Sequence, residues 1–318
     1  MSVIIPTFNR PKYFREALDS VLNQTYRNLE VVISDDSTND ETEALIQDYL
    51  ARDRRIKYFR NKGFTSHDNW NFLRAYNNPV AEYVNWLMDD DLFYPTKLEK
   101  MVEVYRNNPD VSLVTSAKNL IDADGKITGN TQNVFGQDVK IPGDEAGKMI
   151  FLWCNYIGEP TTVLIRKKFL RDNDLCWNED EEGFFSLIDV STWCQLLTQG
   201  NMIRLIETLS AFRHHEEQSS KWDFTRTLWT LSYVKLFKTA MDKKVFFHND
   251  QELRATIMYL IESSIRTLRG ADSKNYHGKE VESLEKTLIA LAQSLTNGYK
   301  LELPPVEYSE QDNSNKLR

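Results

Sequence analysis

Residues 2–37 read SVIIPTFNRPKYFREALDSVLNQTYRNLEVVISDDS and hold two short apolar runs on either side of a helical pattern. The runs at residues 3–5 and 31–33 are uninterrupted, which is typical of strands that are buried on both faces. Apolar residues between them recur at helical spacing. Pro11 suits the first turn of that helix, and Asn9 is placed to cap it. This order of strand, helix and strand predicts a right-handed βαβ unit.

The alternation of strand and helix continues along the next part of the chain. Further strands are predicted at residues 56–59, 83–87, 111–115, 161–165 and 202–206. Strands that alternate with helices predict an α/β fold with a mainly parallel sheet and helices on its faces. Ligands of such sheets bind beyond the carboxyl ends of the strands. That rule selects the polar loops at residues 6–9, 34–37 and 88–91.

The strongest chemical signal is the acidic triplet Asp89-Asp90-Asp91. Close carboxylates repel one another by about 1–4 kcal/mol per pair at the dielectric of a protein surface. Such a triplet is more often a solvated turn than a site. Here it directly follows an apolar strand, where ligands bind, and a hard cation such as Mg²⁺ or Mn²⁺ would relieve the repulsion. We therefore expect a metal site that faces a diphosphate.

Three weaker signals surround this one, and each has an ordinary structural explanation. Asp35 and Asp36 follow the second strand and could be part of a turn, or one of the two carboxylates could accept a hydrogen bond from the N–H of a nucleotide base. Asp189 opens a helix, where an acidic residue is favourable, or it could be a general base. His214 and His215 could lie on the surface, or one of them could bind the metal or the diphosphate.

The last third of the chain is predicted to be helical. Apolar residues at helical spacing run to Gly270, which is expected to end one helix, and a second stripe covers residues 281–295. This stripe is about two heptads long, so a packed helical hairpin is favoured over a coiled coil.

The domain organisation predicted from these patterns is listed here: residues 1–115 and 116–222 as two halves of one α/β domain, 223–302 as a helical region and 303–318 as a disordered tail. Residues 128–147 are expected to form a loop.

Composition excludes several classes of protein. The net charge of −8 argues against a nucleic-acid-binding protein, which needs a basic face. Cys154, Cys176 and Cys194 form no C-x-x-C pair, which argues against a disulfide framework or a structural zinc site and fits a reducing compartment. No apolar run is long enough to span a membrane. A cytoplasmic protein is therefore expected, with contact to the inner membrane face left open.

Taken together, these segments resemble glycosyltransferase family 2, the inverting enzymes of the GT-A fold. The resemblance covers residues 2–220 and includes the opening strand and loop, residues 21–26 (VLNQTY), and residues 31–37 (VVISDDS). Residues 87–95 (LMDDDLFYP) resemble the family's D-x-D segment, with Met88 where its first aspartate is usual. Residues 212–215 (FRHH) resemble a later segment that ends in histidine.

The resemblance implies a role for each candidate residue. It makes Asp189 the catalytic base, four residues before Trp193, and places the metal, Mn²⁺ or Mg²⁺, on Asp90 and His215. The donor contacts that it implies are listed here: Pro6, Thr7, Asn9, Asp36, Asn69, Asp89 and Asp91. The implied donor is a UDP-sugar that carries a hexose or an N-acetylhexosamine. The implied acceptor is a hydroxyl group of a polysaccharide, glycolipid or glycoprotein glycan.

Two other functions stay open at this point. A nucleotidyltransferase would use a similar α/β domain with metal-binding carboxylates, but its phosphate loop is usually rich in glycine, and the loop at residues 6–10 has none. A protein that binds sugar nucleotides or glycans without catalysis would not need Asp189. The sequence also leaves open a homo-oligomer formed through the C-terminal helices.

Overall fold

The computed structural model describes residues 1–61, 81–131, 135–153, 155–169, 187–216, 218, 223–274 and 276–307. The strands in this part of the chain are β1 Ser2–Thr7, β2 Glu30–Asp35, β3 Ile56–Arg60, β4 Tyr83–Trp86, β5 Leu92–Phe93, β6 Val111–Ile121, β7 Ile127–Asn130, β8 Val139–Ile141, β9 Leu164–Arg166 and β10 Asn201–Arg213. The α-helices are α1 Pro11–Leu22, α2 Glu41–Arg52, α3 Lys97–Asn107, α4 Gly143–Trp153, α5 Ile188–Leu197, α6 Asp223–Asp242, α7 Asp250–Ser273 and α8 Lys279–Ser294.

All ten strands belong to one mixed, mostly parallel sheet, which confirms the predicted α/β class. Its order is β3-β2-β1-β4-β9-β6-β10-β5, with β7 beside β6 and β8 beside β10. The first four strands are parallel, and so are β6 and β10, whereas β9 runs antiparallel to both of its neighbours. Parallel pairing brings the carboxyl ends of β1, β2 and β4 to one edge of the sheet, as the sequence predicts. The predicted division after residue 115 falls inside β6, so the two halves share this sheet.

The apolar runs at residues 3–5 and 31–33 form the most buried part of the sheet. Every residue of β1 is buried, because helices cover both faces of the strand. The side chains of Val3 and Ile5 pack with α1 on one face. Ile4 and Val32 join the larger core on the other face. The uninterrupted apolar pattern of these strands follows from this burial on two sides.

Two predictions about local structure in the middle of the chain are wrong. The strand predicted at residues 161–165 begins only at Leu164, because Pro160 starts a 3₁₀ turn, Pro160–Thr162, in which the Thr162 N–H donates to the Glu159 carbonyl oxygen at 2.9 Å. The loop expected at residues 128–147 contains β7, β8 and the start of α4. These short strands lie at edges of the sheet and bury little, so their sequences lack the apolar pattern of the central strands.

Two predicted helix ends are also wrong. Asn9 does not cap α1. Its backbone has φ +53°, and its carboxamide instead exchanges hydrogen bonds with the Thr38 hydroxyl and backbone N–H at 2.9 Å each. Pro11 does occupy the first turn. Gly270 does not end a helix, since α7 continues through it to Ser273. Tertiary packing holds the last turn of α7 in place: Ala271 is buried, and its carbonyl oxygen accepts from Tyr276 N–H at 2.9 Å.

The C-terminal helices pack on one another and on the α/β domain. Helices α6, α7 and α8 contact each other, and the apolar stripe of α8 is buried through Val281, Leu284 and Leu291, which confirms the predicted helical hairpin. Of the segment predicted to be a disordered tail, residues 303–307 are described. The Glu307 N–H there donates to the Ser283 hydroxyl at 2.9 Å, and Leu303 packs against the core.

A cluster of phenylalanine rings joins the C-terminal helices to the α/β domain. Phe151 of α4 lies with its ring centroid 6.0 Å from that of Phe237 on α6, and 5.6 Å from that of Phe247 in the α6–α7 turn. Phe246 is also buried and accompanies them at 6.3 Å. Aromatic contacts of this kind add about 0.5–1.5 kcal/mol each beyond the burial of area. The helical region is therefore part of one continuous core.

Among the described residues, every helix is too short or too polar to cross a membrane.

We predict that Gly147→Ala loosens the junction between α4 and the C-terminal helices. A methyl group there would lie 2.2 Å from the Phe246 ring, which is buried and cannot move aside. Overpacking of this kind costs about 1–3 kcal/mol. Chemical denaturation followed by circular dichroism should show the loss.

Gly270→Ala is the matched control, because it is also a helical glycine but has no heavy atom within 4 Å of the added methyl group. It should stabilise the protein by up to about 1 kcal/mol through helix propensity. Equal effects of the two substitutions would contradict the steric contact with Phe246.

Candidate active site

The acidic triplet lies in the loop after β4, at the edge where the parallel strands end. Strand β4 and Leu87 are buried. The Leu87 N–H donates to the Ile4 carbonyl oxygen at 2.9 Å and so extends the hydrogen bonding between β4 and β1. The chain then turns sharply, with the Asp91 N–H donating to the Met88 carbonyl oxygen at 3.1 Å. All three aspartates are at least nine-tenths buried. Each carboxylate therefore needs partners from elsewhere in the chain.

Asp89 receives its partners from the loop after β1. The Thr7 hydroxyl donates to Asp89 Oδ2 at 2.9 Å, the Phe8 N–H donates to the same oxygen at 3.3 Å, and Arg10 Nη1 lies 3.3 Å from Oδ1. Burial, followed by the neighbouring charge of Asp90, raises the pKa of Asp89 to about 6. These contacts fix the β1 loop against the triplet.

Asp90 faces His215, which follows the last long strand. His215 Nε2 lies 2.9 Å from Asp90 Oδ2, and both side chains are largely buried. The Tyr13 ring packs on the imidazole at 4.9 Å between centroids. His214, in contrast, is exposed and packs its ring edge-on against Phe212. The structure thus brings together the histidine and the aspartate that the sequence pairs.

The described residues contain no group of three or more His, Cys, Asp and Glu side chains arranged to hold a metal ion. The Asp90–His215 pair offers one carboxylate oxygen and one imidazole nitrogen 2.9 Å apart, a separation that two ligands of one cation also have. Mg²⁺ is commonly held by one or two protein ligands plus substrate phosphates. This pair therefore fits a cation whose remaining ligands come from a bound diphosphate.

Asp91 is the most enclosed of the three carboxylates. Thr161 Oγ1 donates to Asp91 Oδ2 at 2.5 Å, and the Arg213 N–H donates to Asp91 Oδ1 at 3.0 Å. Burial and the charge of Asp90 raise the pKa of Asp91 well above its ordinary value. Both oxygens of Asp91 are engaged within the protein. The 3₁₀ turn at Thr161, which sequence reasoning missed, supplies one of these partners.

Arg213 connects the triplet loop to two other parts of the fold. Its side chain is completely buried. Arg213 Nε donates to the Asp90 carbonyl oxygen at 2.8 Å, and Nη2 pairs with Glu16 of α1 at 2.5 Å. Nη1 donates to the carbonyl oxygens of Asp122 and Ala123 at 3.3 and 3.1 Å. This guanidinium therefore holds the triplet loop, α1 and the β6–β7 turn together.

The two aspartates after β2 have different surroundings. Asp35 is fully buried and accepts hydrogen bonds from the Tyr58 hydroxyl at 2.6 Å and from Arg60 Nη1 at 2.8 Å. Asp36 is half-buried, and its Oδ1 accepts from Asn61 Nδ2 at 2.7 Å. Asp35 thus helps to hold β2 and β3 together, and Asp36 stands nearer the solvent edge. Among the other predicted donor residues, Pro6 is buried within β1, and Asn69 lies outside the described residues.

Asp189 lies at the start of α5 and is held by the segment that precedes the 3₁₀ turn. Asn155 Nδ2 donates to Asp189 Oδ2 at 3.3 Å, and the same carboxamide exchanges hydrogen bonds with the Gly158 backbone at 3.1 Å. Trp193 Nε1 donates to the Gly158 carbonyl oxygen at 3.3 Å. Burial raises the pKa of Asp189 to about 6. Sequence reasoning did not identify Asn155, which carries no recognisable local signal.

A partly buried ion pair is close enough to both Asp91 and Asp189 to interact with their charges. Lys118 Nζ pairs with Glu159 Oε2 and lies 4.8 Å from the centroid of the Phe212 ring. Burial lowers the pKa of Lys118 to about 8, although the negative charges of Asp91 and Asp189 oppose this shift. The ammonium group therefore partly balances three surrounding carboxylates.

One cleft of about 950 Å³ connects these groups. We call the part lined by Arg10, Asp90, Glu159 and Asp189 its inner part, and the part lined by residues of α6 and α7 its outer part. The sequence places these residues far apart, and the fold brings them to one space.

The chain is similar to a known family over more than half of its length. The model of "Glycosyl transferase family 2" matches residues 2–172. The chain is 38% identical to an uncharacterized glycosyltransferase of Rickettsia typhi, over 70% of each protein. It is 28% identical to an uncharacterized glycosyltransferase of Rickettsia bellii over 76% of this chain, which spans only 34% of that relative's length. It is 31% identical to the GalNAc(5)-diNAcBac-PP-undecaprenol beta-1,3-glucosyltransferase of Campylobacter jejuni, over 58% of this chain and 56% of the relative.

Solved structures show a similar fold at low sequence identity. Residues 1–349 of S. aureus TarS superpose with a TM-score of 0.62 at 15% identity, over 94% of this chain and 88% of that structure. The complex of the same protein with UDP-GlcNAc gives a TM-score of 0.61. The likeness extends through the C-terminal helices and confirms the predicted GT-A architecture with its helical appendage.

We predict that Arg213→Met strongly destabilises the fold. The substitution leaves the Glu16 carboxylate and the carbonyl oxygens of Asp90, Asp122 and Ala123 without their donor. Leaving a buried hydrogen-bonding group such as the Asp90 carbonyl oxygen without its donor costs about 1–3 kcal/mol, whereas the Glu16 carboxylate is 39% exposed and can be solvated. Urea denaturation should show the loss. Arg254→Met, at an exposed arginine of α7, should change stability by less than about 0.5 kcal/mol. A loss no larger than that of this control would contradict the role of Arg213.

Proposed function

Because the chain belongs to glycosyl transferase family 2, we propose that it transfers a sugar from a nucleotide-sugar donor to a hydroxyl group of an acceptor. One observation carries this proposal: Asp90 and Asp189 line the same cleft, so a cation-binding carboxylate and a candidate base can face one substrate. Transfer of a sugar needs both of these functions. A leaving diphosphate must be stabilised, and the attacking hydroxyl must lose its proton.

The proposed donor is a UDP-sugar that lies along the carboxyl ends of β1, β2 and β4. Asp36, at the half-buried end of β2, is proposed to accept a hydrogen bond from the uracil N–H. Pro6, Thr7 and Asn9 shape the neighbouring loop, and Asp89 lies beside the sugar and ribose. The TarS structure in complex with UDP-GlcNAc supports this choice of nucleotide, since its fold is similar. The contacts of Asn69 and Asp91 with the donor stay predictions.

The proposed reaction is a single displacement with inversion. Asp189 accepts the proton of the acceptor hydroxyl, whose oxygen attacks the anomeric carbon while the bond from that carbon to the diphosphate oxygen breaks. Asn155 keeps the Asp189 carboxylate oriented towards the cleft. Asp90 and His215 would hold Mn²⁺ or Mg²⁺, which, when bound, supplies positive charge to the leaving diphosphate. Arg10 lies beside both Asp89 and Asp90 and adds a fixed positive charge at the same end of the cleft.

A panel of nucleotide-sugars with Mn²⁺ and with Mg²⁺ tests the overall proposal. Slow hydrolysis of one donor to a nucleoside diphosphate and a free sugar is the expected result. Release of pyrophosphate would instead indicate a nucleotidyltransferase. Donor binding without hydrolysis or transfer would indicate a binding protein.

We predict that Asp189→Asn lowers kcat by about 10²–10⁴-fold while the affinity for the donor is retained, since general-base catalysis contributes that factor. In the unchanged protein, kcat/KM should fall as the pH drops through about 6, because the base acts only when it is ionised and burial raises its pKa to about 6. Asp124→Asn, at a side chain that is 89% exposed, is the control. Near-normal transfer by Asp189→Asn would show that another group is the base.

The same substitution should not destabilise the fold. The pKa of Asp189 is higher in the folded protein, about 6, than its ordinary value of 3.8. Between these pH values the folded state holds a proton that the unfolded chain has released, so the contribution of this group to stability falls as the pH rises through that window. Asn removes the cost of the buried charge. The denaturation midpoint at pH 7.5 should therefore stay equal or rise.

We predict that His215→Ala lowers the Mn²⁺-dependent affinity for UDP by about tenfold or more, because it removes one of two protein ligands. His214→Ala is a closely matched control, as the neighbouring imidazole is exposed and points elsewhere. Calorimetry with and without Mn²⁺ separates the effect of the metal from direct contacts with the nucleotide. Equal affinities for the two variants would remove His215 from the metal site.

A further inference from the structure

The cleft does not end at the candidate base. It continues to a wall formed by α6 and α7, which Arg226, Trp229, Tyr233, Tyr259 and Arg266 line together with smaller side chains. None of these residues belongs to the part of the chain that matches the family model, residues 2–172. The outer part of the cleft is therefore formed by residues outside the segment that matches the family model.

This wall is held rigidly. Thr230 of α6 and Thr267 of α7 are both buried, and their hydroxyl groups form a hydrogen bond of 2.9 Å between the two helices. Leu260, which also lines the cleft, belongs to the large core that contains the phenylalanine cluster around Phe151. A surface fixed by a buried hydrogen bond and a continuous core is preorganised for binding.

The side chains on the wall combine flat rings with positive charge. Trp229, Tyr233 and Tyr259 all line the cleft and are partly buried. Such rings present an apolar body beside a polar group, which suits the mixed polar and apolar faces of sugar rings. Three of them on one wall offer contacts to more than one sugar ring.

Two arginines stand beside these rings. Arg226 is exposed, and its guanidinium makes no hydrogen bond or ion pair within the described part of the chain. Arg266 lies over the Tyr259 ring at 5.8 Å and pairs with Glu262 at 2.6 Å. A guanidinium fork binds carboxylates and phosphates through two parallel hydrogen bonds. The inner part of the cleft instead carries the carboxylates of Asp90, Glu159 and Asp189.

We propose that α6 and α7 form the acceptor-binding wall of the cleft, and that the acceptor is an oligosaccharide with a negatively charged group that binds Arg226. Its sugar rings pack against Trp229, Tyr233 and Tyr259, and its reacting hydroxyl reaches Asp189 at the inner end. This inference rests on the proposed function, because it assigns the remaining half of a transfer reaction. The proposed acceptor is an anionic glycan, and the choice of probes distinguishes a phosphate from a carboxylate as its charged group.

Calorimetry on the full chain tests the proposal with three probes: mannopentaose, mannopentaose 6-phosphate and tetragalacturonate. The phosphorylated or the carboxylated oligosaccharide should bind at least about tenfold more tightly than the neutral one, as expected for one charge-assisted contact. Arg226→Ala should remove most of that preference. Arg254→Ala, at an exposed arginine of α7 outside the cleft, should leave it unchanged.

A second variant tests the aromatic part of the wall. Trp229→Ala should weaken all three probes by a similar factor, because it removes a packing surface and no charge. Trp229→Phe should recover much of that binding and guards against loss of fold in the alanine variant. Equal binding of charged and neutral probes, or an unchanged preference in Arg226→Ala, would overturn the proposal.

Hydrolysis of the donor in the absence of acceptor separates this inference from the proposed function. If the unchanged protein hydrolyses no nucleotide-sugar yet prefers the anionic probes, the proposed function fails and the binding wall stands. If it hydrolyses a donor but shows no preference for the anionic probes, the wall fails alone.

Discussion

Three adjacent carboxylates can be buried only when each has its own hydrogen-bond donors, and this constraint organises the centre of the molecule. Asp89 takes donors from the loop after β1, Asp90 faces His215, and Asp91 takes donors from Thr161 and from the backbone of Arg213. These partners lie between 70 and 125 residues away in sequence. The demand of the triplet for partners therefore draws the start, the middle and the end of the α/β domain to one point.

The surrounding charges follow from the same constraint. Arg213 links the triplet loop to α1, and Lys118, which pairs with Glu159, interacts with the charges of both Asp91 and Asp189. Burial disfavours the ionised forms of Asp89, Asp91 and Asp189, so each has a raised pKa. A bound cation and a substrate would change this balance, because both alter the charge and the solvent access of the cleft. Several carboxyl groups with raised pKa values in one region of a fold are typical of catalytic centres.

The C-terminal helices extend this site outward. Their apolar stripes are covered by one another and by α4, through the rings of Phe151, Phe237 and Phe247. The helices therefore contribute a wall of the cleft while they complete the core. Residues of α6 and α7, which lie beyond the family-matched segment, line the same cleft as Asp90 and Asp189.

Local pattern in the sequence was enough for much of the fold, and the family resemblance selected the candidate site residues. The apolar pattern of the sequence located β1, β2, β4, α1 and α2, since a strand that is buried on two faces leaves an uninterrupted apolar run. The family resemblance selected Asp90, Asp189 and His215. The structure places Asp90 and Asp189 on one cleft, with His215 in contact with Asp90. Tertiary structure alone decided the 3₁₀ turn at Thr161, the continuation of α7 past Gly270, the roles of Asn155 and Arg213, and the wall on α6 and α7. The physical reason is that these features depend on partners many residues away, and a short window of sequence contains the group but not what it contacts.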